Sequence, residues 1–135
     1  MSPIIIVDNE YITVQYLPDK KIIYHSIHKP VDGQLLKDAL NAGTDALEKY
    51  GACKWLSDDR KNGPLSPEMM EWGRNTWDVR TIAAGWKYWA DVVPEALANA
   101  GTMIPVVEAL YELGLRMMVF TDLEKAIAWL DSVEG

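Results

Sequence analysis

Lys54-Trp55-Leu56-Ser57-Asp58-Asp59-Arg60 is the stretch whose reading decides the fold. A short apolar run ends abruptly in a charged knot. It reads as a strand, Lys54 to Asp58, that stops where the chain turns polar at Asp59 to Leu65, around Asn62-Gly63-Pro64. Downstream, Ser66-Pro67-Glu68 opens a helix, with Ser as N-cap, Pro at the first helical position and Glu in the first turn. That helix is expected to reach about Trp77. Trp86 to Val93 reads as a strand ended by Pro94, and 94–101 is ambiguous. Ile104, Val107, Leu110 and Tyr111 carry a helix stopped at Gly114. Arg116 to Phe120 is a last strand. Thr121-Asp122-Leu123-Glu124 matches a capping box, ahead of a terminal helix faced by Leu123, Ala126, Ile127, Leu130 and Val133. Strand and helix therefore alternate, which implies parallel strands joined by crossover helices.

Upstream of Lys54 the pattern changes. Ile4 to Val7 is an apolar β-branched run. Tyr11 to Leu17 alternates, with Ile12, Val14 and Tyr16 on one side and Tyr11, Thr13 and Gln15 on the other. Pro18-Asp19-Lys20-Lys21 is a turn, and Lys21 to Ile27 resumes as a strand, so this pair is antiparallel. Asp32 reads as an N-cap, with Val31 and Leu36 at the spacing of a hydrophobic staple. Leu35, Leu36, Ala39, Leu40, Gly43, Ala46, Leu47 and Tyr50 form a helical stripe that Gly51 ends. The expectation is one α/β domain over residues 1–135. Its mixed sheet has an N-terminal antiparallel hairpin, then parallel strands, flanked by about four helices.

A chain of 135 residues with 49% apolar and 24% charged residues is ordinary for one globular domain. Its net charge of −7 argues against nucleic acid, which is held by Lys and Arg, and against an anionic membrane surface. A single cysteine, Cys53, excludes an internal disulfide and suits a cytoplasmic protein. Met1 to Asp8 lacks the basic start of a signal peptide, and no run approaches the ~20 apolar residues of a membrane span.

The strand end at Asp58, Asp59 and Arg60 lies where open α/β sheets bind ligands. Arg60 suits a carboxylate or phosphate, and the helix start at Ser66 offers free N–H groups. The structural alternative pairs one aspartate with Arg60 and leaves the other to cap the loop. Ser66 is a possible phosphorylation site and also an ordinary N-cap. Five of the six tryptophans stand in this region. Trp72 and Trp77 fall at helix-face spacing from Met69 and Met70, which suggests core. Trp86 and Trp89, three apart, face opposite sides of a regular strand, one buried and one suited to an interface or pocket rim. His25 and His28 do not make a metal pair. No dinucleotide, phosphate-loop, nucleophile-elbow or zinc-protease motif is present. No cofactor, metal or catalytic residue is expected.

Several short motifs together carry a resemblance. Phe120-Thr121-Asp122, then Ala126, then Trp129-Leu130 resemble the close of small bacterial STAS-like proteins of the SpoIIAA-like family. So do the strand ending in Asp58-Asp59-Arg60 and the strand Ala90-Asp91-Val92-Val93 ahead of a helix. The resemblance implies a mixed sheet flanked by helices and a regulatory module that binds a protein partner. In anti-sigma-factor antagonists a serine at the start of the second helix is the switch. Here Asp59-Arg60-Lys61-Asn62-Gly63-Pro64 replaces the usual turn, and Ser66 is the nearest serine. The leading expectation is a non-catalytic homodimeric module working through Asp58, Asp59, Arg60, Ser66, Trp72, Trp86 and Trp89. One alternative is a carrier of a small apolar or anionic ligand in a tryptophan-lined pocket. Another is an enzyme using Asp58, Asp59 and Arg60.

Overall fold

The computed structural model describes residues 2–134. Six strands form one sheet in chain order: β1 (Ile4–Asp8), β2 (Ile12–Leu17), β3 (Ile22–Ile27), β4 (Lys54–Asp58), β5 (Tyr88–Val92) and β6 (Arg116–Phe120). β2 runs antiparallel to both of its neighbours, β1 and β3, and β3 to β6 are parallel. The helices are α1 (Gln34–Tyr50), α2 (Pro67–Trp72), α3 (Asp78–Ala83), α4 (Glu95–Asn99), α5 (Ile104–Glu112) and α6 (Leu123–Ser132). A π-helical turn, Gly73–Trp77, joins α2 to α3 without a break, so five helical stretches flank the sheet. The α/β class, the opening hairpin and the parallel remainder agree with the sequence reading.

Parallel strands that step steadily in one direction put all their right-handed crossovers on one face. Leu36 and Leu47 of α1, Met69 of α2, Trp77 and Leu110 of α5 accordingly share one core with Ile12, Val14, Ile23 and Trp55 of the sheet. The other face is covered by α6, whose Ala126 and Leu130 meet Ile22, Leu56, Ala90 and Val92. The alternation foreseen in β2 holds: Ile12, Val14 and Tyr16 point into the core.

Several local expectations change. The residue at the N-cap of α1 is Gly33, at φ 74°, and Asp32 accepts instead from the N–H groups of Gly33 (2.8 Å) and Ser66 (2.9 Å). The cap of α6 is Asp122, one residue beyond Thr121, and it accepts from Glu124 N–H. The helix opened at Ser66 does not stop at Trp77, because no Gly or Pro follows Trp77 until Gly85. Its π turn inserts an extra residue, so Trp77 returns to the face of Met69 rather than Met70. Met69 and Trp77 are buried, while Met70 is 61% exposed. β5 starts at Tyr88, so Trp86 lies in the preceding turn and the two-residue period does not govern it.

Candidate functional site

Register fixes what meets at the carboxyl ends of β3, β4 and β5. His25 stands opposite Ser57, and Ser57 opposite Asp91. These three side chains point to the same face as the preceding row, Ile23, Trp55, Trp89 and Met117, because side chains repeat every second residue. A buried polar row thus sits directly beyond a row rich in aromatic residues.

The hydrogen bonds of that row form one network. Trp55 Nε1–H donates to His25 Nδ1 at 3.0 Å. An indole N–H only donates, so Nδ1 accepts and Nε2 carries the ring proton. That Nε2–H donates to Asp59 Oδ1 at 2.7 Å. Trp89 Nε1–H donates to Ser57 Oγ at 2.9 Å, and Ser57 Oγ lies 3.4 Å from His25 Nδ1. Burial opposes the charge on Asp59. His25 beside it, with hydrogen bonds from His25 and Asp91, outweighs burial and holds its carboxyl below the usual range. Asp91 goes the other way. Burial, followed by the neighbouring charge of Asp59, pushes its carboxyl well above the usual range, which favours the protonated form as a donor to Asp59. Asp91 Oδ1 is buried with no hydrogen-bond partner among the described residues. The side chain of Asp59 is 26% exposed and Trp89 is partly buried, so the network meets solvent at these two residues.

The predicted charged knot is divided between the two faces. Asp58 points to the α6 side, in the row of Ser26 and Val92. It holds Arg60 through Nε (2.9 Å) and Nη2 (2.8 Å), a bidentate pair that satisfies the guanidinium locally. Asp59 joins His25 on the opposite side. Ser66 Oγ accepts from Met69 N–H and lies 3.4 Å from Asp32 Oδ1. A phosphate there would face the Asp32 carboxylate, whose hydrogen bonds from Ser66 hold its titration below the usual range.

The tryptophans gather on the sheet face that carries α1. Trp55, Trp77, Trp86 and Trp89 form a chain of ring contacts, with centroids 5.0 Å apart for Trp55–Trp77, 5.1 Å for Trp77–Trp86 and 5.1 Å for Trp86–Trp89. Trp86 and Trp89 therefore meet instead of facing opposite sides. Trp77 donates to Leu40 O and Trp86 to Tyr88 O, so all four indole N–H groups are satisfied. Trp86 is 1% exposed and lies inside the core. Trp72 is half-buried, with Lys37 Nζ 5.6 Å from its ring centre.

A second region was not singled out from the sequence. β6 is the last strand of the sheet. Arg116 N–H donates to Lys87 O, and Phe120 O accepts from Val93 N–H. A residue's N–H and C=O point to the same side of a strand, so Arg116, Met118 and Phe120 face β5 while Met117 and Val119 turn theirs outward. Two open grooves flank this edge. One, of about 360 Å³, is lined by residues that include Met103, Ile104, Val107 and Val119. The other, of about 230 Å³, is lined by residues that include Tyr88, Tyr111, Trp129 and Val133. Neither touches Arg60.

Among the described residues no group of three His, Cys, Asp or Glu side chains is placed to hold a metal ion, and no helix is long and apolar enough to cross a membrane. Comparison with protein-family models, curated proteins and solved structures gives no match.

Proposed function

We propose that this chain is a non-catalytic binding module of the SpoIIAA-like, STAS-like type that engages a protein partner in the cytoplasm. Its docking surface is the outer edge of β6 with the grooves beside it, rather than the Asp58–Ser66 rim. One observation carries this reading. Of the nine large apolar side chains that stand exposed among the described residues, five (Leu97, Ile104, Tyr111, Leu113 and Met118) fall between residues 97 and 118, in or beside the elements around β6. Exposed apolar side chains beside an unpaired strand edge suit addition of an extended strand. The rim offers less: Arg60 is neutralised by Asp58, and Asp59 is tied to His25.

Selection of displayed linear peptides against the protein tests the proposal. Selected peptides should shift the amide resonances of Met117 and Val119 and lose binding to Val119→Pro, which removes an outward N–H. Peptides that map to residues 59–66, or that bind Val119→Pro unchanged, contradict it.

A second reading rests on the opposed titrations of Asp59 and Asp91. Paired carboxyls driven apart are how acid–base sites divide their roles, with Asp91 here as the acid. A substrate-class screen in which Asp91→Asn abolishes a turnover shown by the parent chain would support it; no turnover by the parent chain would sink it.

A further inference from the structure

The strand-docking reading has a specific occupant. We infer that two copies of this chain pair through β6, antiparallel about a twofold axis at Val119, to form one continuous sheet; this rests on the reading of β6 as the docking edge.

The two edges of the sheet differ. β1 carries a bulge between Ile5 and Val7 and follows Pro3, features that spoil an edge as a template. β6 has no bulge in its register with β5 and no proline, and Met118 is 44% exposed. Its outward N–H and C=O groups sit on Met117 and Val119. Antiparallel pairing requires outward residues to face outward residues. Three self-pairings meet that condition with the centre inside the strand. Centred on Met117, Arg116 faces Met118 of the second copy. Centred on Met118, it faces Phe120. Centred on Val119, it faces Asp122, and the pair occurs twice by symmetry. The same register places Met118 against Phe120 and Val119 against Val119.

Charge complementarity therefore selects the Val119 register. Asp122 caps α6 through Oδ1 alone, accepting from Glu124 N–H. Arg116 lies over the Tyr111 ring at 3.9 Å, and neither it nor Asp122 enters an ion pair among the described residues. The net charge of −7 repels a second copy at long range, so apolar contact must drive association while the two ion pairs fix register.

Sedimentation of charge-reversed variants decides. The parent chain should sediment as a dimer. Arg116→Asp sets two like-charged pairs in the interface, as does Asp122→Arg, so each alone should sediment as a monomer. An equimolar mixture should recover the dimer, because the heterodimer restores opposite charge at both ends. Asp122→Asn keeps a good cap for α6 and should weaken the dimer without unfolding the helix. Variants that dimerise like the parent, or a mixture that stays monomeric, overturn the register. A parent chain monomeric at all concentrations overturns self-pairing, whereas failure of edge docking altogether would show in the displayed-peptide selection.

Discussion

Asp91 and His25 carry the least obvious physics in the molecule. His25 satisfies two neighbours at once, accepting from Trp55 and donating to Asp59. His25→Phe leaves a buried indole N–H and a carboxylate without that partner, and should cost about 2–4 kcal/mol in chemical denaturation. A loss below about 1 kcal/mol would mean that the network is ornamental. Asp91→Asn is the milder change, since an amide N–H can replace the proton that Asp91 gives to Asp59. It should lie within about 1 kcal/mol of the parent at neutral pH, while Asp91→Ala should lose clearly more; equal losses would contradict a protonated Asp91. The sequence displayed the charge cluster of Asp58 to Arg60 but not its division. Adjacent residues on a strand point to opposite faces, so only the register with β3 and β5 shows that Asp59 belongs with His25. Asp91 could have been suspected as a carboxylate within the apolar run Trp89 to Val93, yet its partner is 32 residues upstream in the sequence.

At the scale of elements, α1 lies tight against the sheet at Gly43. A Cβ there would overlap Trp55 Cη2 and stand 3.1 and 3.2 Å from Cζ2 and Cζ3. Mid-helix Gly→Ala ordinarily stabilises by roughly 0.5–1 kcal/mol. Trp55 cannot retreat easily, because Trp77 and Trp86 contact its ring. Gly43→Ala should therefore destabilise by about 1–3 kcal/mol, read from the denaturation midpoint; a gain would show that α1 rides higher than described. Helix and strand identities were largely legible because periodicity and turn residues agreed, as in the Ile12, Val14, Tyr16 alternation and the stop at Gly51. The π turn was not. Gly73-Arg74-Asn75-Thr76-Trp77 has no local signal for an extra residue, and the burial of both Met69 and Trp77 reveals it only after folding. The β6 edge was also hidden, since strand order across a sheet is not written in any one strand.

Across the whole molecule, buried acids set how stability follows pH. Asp78 is buried, and desolvation outweighs nearby Arg74 to raise its titration from 3.8 to about 7. Between those values the folded chain holds a proton that the unfolded chain has lost. Stability from this group must then fall as pH rises from about 4 to about 7 and stay reduced above it. Asp91 pushes in the same direction and Asp59 in the opposite one. Asp78→Asn should stabilise the protein at pH 8 and much less at pH 4; an equal effect at both would refute a raised Asp78. The central claim is that the sheet ends at β6 with its outer backbone free. Residue-resolved amide hydrogen exchange in dilute protein measures this directly. The account predicts slow exchange at Met118 and Phe120 and fast exchange at Met117 and Val119. Equal protection at all four at a dilution where the chain sediments as a monomer would mean that the edge is covered within the chain itself, and would contradict it.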